Sequence, residues 1–125
     1  MALTAEKLDA TPCHCCGLTH REHPEPFDLQ GRCHPDAALH VVHSDGELRF
    51  SCTVCGRRVT TLATGRPRGR LAWLSKPKVL EVDGEQHVSP RCHAEGSRAQ
   101  YRLGEVKLSC AACRRPYARC RVDET

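Results

Sequence analysis

Apolar and polar residues alternate along two stretches of the chain, and each stretch ends on a pair of cysteines spaced Cys-x-x-Cys. Residues 46–58 read GELRFSCTVCGRR, and residues 104–116 read GEVKLSCAACRRP. The two align without a gap, sharing Gly, Glu, Ser and both Cys, with apolar pairs at Leu48/Val106 and Phe50/Leu108. The alternation predicts a β-strand in each stretch, and the alignment indicates an internal repeat.

A second strand is predicted before each stretch, over LHVVH (39–43) and AQYRL (99–103). Turn residues separate the two strands, Ser44-Asp45-Gly46 in the first copy and Leu103-Gly104 in the second, so each copy is predicted to be a β-hairpin. We expect the one-residue difference in spacing between the copies to lie at this hairpin tip. A further hairpin is predicted over residues 78–88, around Asp83-Gly84 and beside the second copy. The apolar cluster 71–74 is expected in the core.

Each Cys-x-x-Cys pair is preceded, at nearly the same distance, by an Arg-Cys-His triplet. The triplets are Arg32-Cys33-His34 and Arg91-Cys92-His93. A hairpin brings its two ends together, so each copy is expected to gather three thiolates and one imidazole, a set suited to a closed tetrahedral zinc site. The predicted ligands of two structural zinc ions are Cys33, His34, Cys52 and Cys55, and Cys92, His93, Cys110 and Cys113.

Other residues compete for the fourth ligand position, because an adjacent Cys and His reach one ion less easily than two residues spaced apart. Neither alternative in the second copy has a counterpart in the first copy, and this favours His34 and His93. The alternatives are His40, His43, Cys13 and Cys16 for the first site, and His87 and Cys120 for the second.

A third Cys-x-x-Cys pair, Cys13 and Cys16, lies near the N-terminus and has no second copy. Three outcomes stay open: a four-Cys zinc ribbon with the next Cys-x-x-Cys pair, a separate third zinc site with nearby histidines, or no complete site. Two zinc ions are therefore expected, and a third if this pair is used. The ribbon would use Cys52 and Cys55, and the separate site would use His20 and His23. No ligand role is predicted for His14 or Cys15.

The first copy resembles the zinc ribbons of small bacterial proteins, which carry Cys-His-Pro, a β-hairpin and Cys-x-x-Cys. The resemblance rests on Cys33-His34-Pro35 and on residues 52–56, CTVCG, and covers about residues 31–62. It is weaker over 90–116, where Ala94 replaces the Pro and Arg114 the Gly. It implies a small, mostly-β, metal-stabilised fold of tandem zinc-ribbon-like hairpins with little helix. Ribbons of this kind occur in nucleic-acid-binding proteins and in subunits of larger assemblies.

Composition favours metal over a large hydrophobic core as the source of stability. The 125 residues include ten Cys and eight His, whereas aromatic residues make up 4%. Dense Cys with dense His, and neither an apolar span nor a secretory leader, predicts a cytoplasmic metal-binding protein rather than a disulfide scaffold. The expected segments are a Cys/His-rich knuckle segment (1–30), the first zinc-binding hairpin (31–64), a basic linker (65–78) and the second zinc-binding hairpin with a basic tail (79–125).

Positive charge concentrates between the two copies. Lys and Arg number 19 against 15 Asp and Glu, but residues 56–78 contain seven basic residues and no acid. Within them GRPRGR (65–70) resembles the AT-hook core, which enters the A·T minor groove, although Leu71 stands where that core has its final Pro. Nucleic acid is therefore the expected partner, a protein partner is the alternative, and no membrane binding is expected. The basic stretch could also be a solvated linker without a partner. The candidate phosphate-binding residues are Arg57, Arg58, Arg66, Arg68, Arg70, Lys76 and Lys78.

A zinc nucleobase deaminase is the enzymatic alternative, because residues 92–95, CHAE, followed by Cys110 and Cys113 match part of that signature. Ser109 replaces the Pro of the signature, and only 16 residues separate His93 from Cys110, too few for the helix, loop and strand of such a site. The first copy also carries Asp36 where the second carries Glu95. A non-enzymatic protein without a small-molecule substrate is therefore predicted.

Overall fold

The computed structural model describes residues 3–10, 27–31, 33–44, 46–65 and 71–122. Over these residues the chain is mostly β, as predicted, with one short helix and ten strands. The elements are α1 (Ala5–Asp9), β1 (Phe27–Asp28), β2 (Leu39–Ser44), β3 (Gly46–Cys52), β4 (Arg58–Gly65), β5 (Leu71–Trp73), β6 (Lys78–Val82), β7 (Glu85–Ser89), β8 (Ser97–Arg102), β9 (Glu105–Cys110) and β10 (Pro116–Arg121).

Each sequence copy folds as three antiparallel strands rather than two. The first unit is β2, β3 and β4, and the second unit is β8, β9 and β10. The third strand of each unit begins just after the Cys-x-x-Cys pair, which therefore lies in the connection between the second and third strands. Both third strands pair through a register shift, and β4 carries three threonines. The other strands were predicted from a regular alternation of apolar and polar residues, which these two features interrupt, so the third strands were not predicted.

The hairpin tips of the two units have the same length. Ser44 pairs with Glu47, and Arg102 pairs with Glu105, so two residues separate the partners in both units. Placing the one-residue difference at the tip was therefore wrong. The extra residue lies between the Cys-His pair and the first strand, where residues 35–38 of the first unit correspond to residues 94–96 of the second.

The two units meet at equivalent positions. Leu39 opens β2 and pairs with Cys52, just as Ser97 opens β8 and pairs with Cys110. Leu39 and Ser97 also pair with each other, in antiparallel register. Because equivalent residues pair in an antiparallel manner, a local twofold axis passes between Leu39 and Ser97, perpendicular to the sheet, and relates the two units. We call the region around this pair the junction.

A glycine allows the close approach at the junction. Gly96 has a φ of 120°, and a Cβ atom added there would lie 3.0 Å from both the Leu39 carbonyl oxygen and the Ala38 Cβ. Ala38 and Gly96 play the same part in their units, because their carbonyls accept hydrogen bonds from the NH groups of Thr53 and Ala111. Both the backbone conformation and the available space therefore favour Gly at position 96.

The two units exchange their leading strands. Leu29 and Val88 lie four residues before Cys33 and Cys92, but Leu29 donates its NH to Ala99 of the second unit, whereas Val88 pairs with Val41 of the first. Accordingly β1 pairs with β8, and β7 pairs with β2. The ion pair between Arg49 of β3 and Glu85 of β7 adds a side-chain contact to this exchange. We call this arrangement the strand exchange.

The hairpin predicted over residues 78–88 is present as β6 and β7, with Asp83 and Gly84 at positive φ in its two-residue turn. Its predicted place beside the second copy was wrong, because β7 pairs with β2 of the first unit. Local sequence defines the turn, but the partner of β7 is set by the strand exchange.

One hydrophobic core serves both units. Its buried side chains include residues of the first unit (Leu48, Phe50), of the second unit (Tyr101, Tyr117) and of the exchanged strand β7 (Val88). Two members of the apolar cluster 71–74 do not join it as expected, since Trp73 is 44% exposed and Leu74 is 45% exposed. The reason is the edge position of β5, which among the described strands pairs only with β10.

The N-terminal helix α1 covers one end of this core. Ala5 and Leu8 are buried, and the Tyr101 hydroxyl donates to Asp9 Oδ1 (2.8 Å) and accepts from the Gly104 NH (2.8 Å). The segment 1–30 thus includes a helix that was not predicted. No helix within the described ranges is long and apolar enough to cross a bilayer.

Candidate metal centres

The four predicted ligands of the first unit converge on one point. The sulfurs of Cys33, Cys52 and Cys55 and a ring nitrogen of His34 all lie within 4.8 Å of one another. Cys33 Sγ is 3.4 Å from Cys55 Sγ, and Cys52 Sγ is 3.6 Å from His34 Nδ1. The adjacent Cys and His therefore do reach a common point.

The second unit repeats this arrangement with Cys92, His93, Cys110 and Cys113, again within 4.8 Å of one another. The equivalent distances are 3.6 Å between the sulfurs of Cys92 and Cys113, and 3.5 Å from Cys110 Sγ to His93 Nδ1. The agreement extends the local twofold symmetry from the strands to the side chains. The second cluster therefore forms even though its sequence departs from the Cys-His-Pro pattern.

These distances fit tetrahedral zinc. Zinc–sulfur and zinc–nitrogen bonds of about 2.3 and 2.05 Å at tetrahedral angles put two sulfurs about 3.8 Å apart and a sulfur and nitrogen about 3.6 Å apart. The sulfur–nitrogen distances match this within about 0.1 Å, and the sulfur–sulfur distances are shorter by about 0.2 to 0.4 Å. Small side-chain movements would seat an ion with four protein ligands and no open position.

The backbone shapes each Cys-x-x-Cys connection in the same way. The Gly56 NH donates to the Cys52 carbonyl, and the Arg114 NH donates to the Cys110 carbonyl, both over 2.8 Å. Gly56 and Arg114 have φ values of 75° and 63°. Arg114 thus adopts the left-handed backbone conformation that Gly56 adopts in the first unit. This conformation costs a residue with a side chain about 1 kcal/mol or more, and costs glycine less.

The backbone also prepares one thiolate in each cluster. NH groups of Cys55 and Val54 lower the pKa of the Cys52 thiol to about 6, against the opposing effect of burial. Burial raises the pKa of Cys110, but hydrogen bonds from the NH groups of Cys113 and Ala112 outweigh it and bring that pKa to about 6 as well. These thiols are the first of each cluster to offer a negative sulfur to a cation.

One other thiol of each cluster, Cys33 or Cys92, holds its proton more tightly. A hydrogen bond with the Cys55 sulfur raises the pKa of Cys33, and one with the Cys110 sulfur raises that of Cys92 to about 11. A divalent ion that takes all three sulfurs must therefore displace protons, so its binding releases protons and weakens in acid.

The alternative ligands lie elsewhere. His40 Nε2 is 2.9 Å from His87 Nδ1, and His43 is buried with its Nδ1 3.2 Å from Gln86 Oε1. Cys120 is 1% exposed, within the hydrophobic core. None of these four belongs to either cluster. Cys13, His14, Cys15, Cys16, His20 and His23 lie outside the described residues.

The two clusters flank the junction on one side of the sheet. Cys52, Leu39, Ser97 and Cys110 occupy one row across β3, β2, β8 and β9. Three interstrand spacings of about 4.8 Å separate the backbones of Cys52 and Cys110 by about 14 Å. Because the local twofold axis is perpendicular to the sheet, equivalent side chains of the two units emerge on the same face.

Exposed arginines follow both clusters. Arg57 and Arg58 lie just after Cys55 and Gly56, and Arg114 and Arg115 lie just after Cys113. The carbonyls of Arg57 and Arg115 accept hydrogen bonds from the NH groups of Cys52 and Cys110, at 2.8 and 3.0 Å. Arg114 and Arg115 were not among the predicted phosphate-binding residues, although the repeat alignment matches Arg115 with Arg57.

The other predicted basic residues are more scattered. Lys76 and Lys78 are exposed, before and at the start of the edge strand β6. Arg66, Arg68 and Arg70, which carry the AT-hook resemblance, lie outside the described residues.

Comparisons of the chain with protein-family models, with curated proteins and with solved structures find no match.

Proposed function

We propose that this protein is a non-enzymatic module in which two zinc ions stabilise the fold and exposed arginines bind nucleic acid. Zinc is supported by the donor set of each cluster, because three thiolates and one imidazole are typical of closed structural sites. In this role the ions contribute folding free energy and take no part in chemistry.

One observation carries the nucleic-acid proposal: two exposed arginines follow each candidate metal centre, and one of each two, Arg57 and Arg115, occupies an equivalent position in the twofold-related arrangement. Hydrogen bonds from Cys52 and Cys110 hold the backbones of Arg57 and Arg115. Arginines on a fixed backbone lose less conformational freedom when they engage phosphate oxygens, and the guanidinium group matches phosphate geometry.

Local charge supports this proposal better than net charge does. The formal net charge is +4, and a zinc ion bound by three thiolates adds −1 at each site, giving about +2 for the metal-loaded chain. Such a small net charge attracts polyanions weakly. The proposed affinity therefore depends on the clustered cations, namely Arg57, Arg58, Arg66, Arg68, Arg70, Lys76, Lys78, Arg114 and Arg115.

The test is a salt titration of zinc-loaded protein with a labelled DNA duplex and with the single strand. We expect binding that weakens steeply between about 50 and 200 mM salt. In the double variant Arg57→Gln/Arg115→Gln, the Kd should rise about tenfold and the salt slope should fall by about 2.

The matched control is Arg102→Gln/Arg121→Gln, which removes the same charge from two exposed arginines away from the Cys-x-x-Cys connections. It should change the Kd by less than about threefold. An equal loss in both double variants would contradict a role for the paired arginines. Absence of binding to duplex and single strand at low salt would contradict nucleic-acid binding altogether.

A specific observation supports a second candidate, an adaptor that docks a protein partner. The edge strand β6 exposes Val79, Leu80 and Val82, and Leu80 is 61% exposed. Among the described strands β6 pairs only with β7, so its other edge offers backbone groups to an extended segment of a partner. The salt titration separates the two candidates, because an adaptor of this kind needs no affinity for nucleic acid.

A further inference from the structure

Two histidines outside both candidate centres face each other across the strand exchange. His40 lies on β2 of the first unit, and His87 lies on β7, the strand that precedes the second unit. Val42 pairs with His87 in register, so His87 and His40 are diagonal neighbours on one face of the sheet. Their Nε2 and Nδ1 atoms are 2.9 Å apart, and their ring centroids are 5.1 Å apart.

We infer that His40 and His87 form a third metal site, an open one that binds a divalent ion of the late first transition row through two imidazoles. Two nitrogens about 2.1 Å from one ion, in cis positions at right angles, lie about 3.0 Å apart. The observed 2.9 Å matches this separation. Turning each ring so that its lone pair leaves the line between the two nitrogens directs both lone pairs to the ion.

Metal binding leaves the number of protons on the two imidazole rings unchanged. In two neutral rings that share a hydrogen bond, one of the facing nitrogens carries the proton. When the ion binds, solvent carries this proton to the far nitrogen of the same ring, and both facing nitrogens then offer lone pairs. Burial and the neighbouring His87 lower the pKa of His40 below its ordinary value, which supports a neutral ring at pH 7.

This site differs from the Cys3His clusters in chemistry and in consequence. No third Cys, His, Asp or Glu within the described residues joins the two rings, so water or an external ligand fills the other positions. Imidazole favours Ni²⁺, Zn²⁺ and Cu²⁺ over Mg²⁺ and Ca²⁺. An ion there links β2 to β7, so it stabilises the strand exchange when metal exceeds what the closed sites hold.

The experiment uses the full chain with both closed sites already filled with zinc. Added Ni²⁺ should bind as one further ion per chain in calorimetry and should raise the melting temperature, whereas Mg²⁺ should do neither. His40→Gln and His87→Gln should each weaken this binding by about a hundredfold, because one imidazole then binds without its chelating partner. Leu80→Gln, which changes the register neighbour of His87 and removes no ligand, should bind Ni²⁺ as the parent protein does.

Two further measurements keep the result interpretable. Cobalt substitution at the closed sites gives a thiolate absorption band, which shows that each variant retains its fold and its first two ions. Imidazole ¹⁵N resonances of the parent protein should shift or broaden with Ni²⁺ at His40 and His87 before any other histidine. Unchanged Ni²⁺ affinity in both His variants, or no uptake of a third ion by the parent protein, would overturn the proposal.

Discussion

At the scale of single residues, the two units place different side chains at equivalent positions. Leu39 and Val59 of the first unit correspond to Ser97 and Tyr117 of the second. In the second unit the Ser97 and Tyr117 hydroxyls are 2.7 Å apart and buried, so one donates a hydrogen bond to the other. Burial raises the pKa of Tyr117 to about 12 despite the opposing hydrogen bond with Ser97, so the phenol stays protonated near neutral pH.

This pair predicts a non-additive result. Tyr117→Phe leaves the buried Ser97 hydroxyl without its partner and should lower the free energy of unfolding by about 1–2 kcal/mol. The double variant Ser97→Ala/Tyr117→Phe removes both polar groups and should recover most of that loss, as measured by denaturant titration of the zinc-loaded protein. Two single losses that simply add in the double variant would contradict the interaction.

The candidate metal ligands could be identified from the sequence repeat. The repeat singled out Cys33, His34, Cys52, Cys55 and their four counterparts, and the structure brings these eight residues together as two clusters. Alignment also explains Cys120, because it occupies the position of Leu62 in β4, and both are buried in the core. Composition counts a buried core cysteine and a candidate ligand alike, so the number of cysteines alone could not separate the two roles.

At the scale of elements, the junction depends on one glycine. Gly96→Ala imposes both a positive φ on a residue with a Cβ and an overlap with the Leu39 carbonyl and Ala38. We expect a loss of about 3 kcal/mol in the free energy of unfolding, from about 1–2 kcal/mol of backbone strain and about 1–3 kcal/mol of overpacking.

Gly84→Ala is the matched control, because Gly84 has a φ of 80° and open space around its added Cβ. It should cost only the backbone strain, about 1–2 kcal/mol. Chemical denaturation of the two variants compares these costs directly, and equal losses would contradict the close packing at the junction.

Local pattern predicted some elements and missed others for identifiable reasons. β3 and β9 were predicted because each alternates and ends on a Cys-x-x-Cys pair, and the β6–β7 hairpin was predicted from Asp83-Gly84. β4 and β10 were missed, since both pair through a register shift. The place of β7 could not be predicted locally, because pairing between distant strands depends on which core surfaces the whole chain brings together.

At the scale of the whole molecule, the strand exchange makes the two units interdependent. A fragment of residues 1–65 contains β2 without β7, and a fragment of residues 66–125 contains β8 without β1. Each fragment also lacks half of the shared core.

We therefore expect either fragment alone to give poorly dispersed NMR spectra even with zinc. An equimolar mixture should recover the dispersion of the intact chain, since the exchanged strands then find their partners. Two fragments that each give dispersed spectra alone, unchanged on mixing, would contradict the interdependence of the units.

The whole arrangement was only partly accessible from sequence. The repeat predicted two similar units, and the count of Cys and His predicted that metal would supplement a small core. The local twofold axis and the strand exchange depend on pairing between Leu39 and Ser97 and between Val41 and Val88, which are 58 and 47 positions apart. Such long-range pairs leave no periodic signal in the chain.

The central claim is that two equivalent Cys3His clusters each hold one zinc ion. Its most direct test is native mass spectrometry of protein dialysed against metal-free buffer, with Cys120→Ala as a control that removes a thiol outside both clusters. The parent protein and Cys120→Ala should each carry two zinc ions, Cys52→Ser and Cys110→Ser should each carry one, and the double variant none. Retention of both ions by Cys52→Ser/Cys110→Ser would contradict the claim.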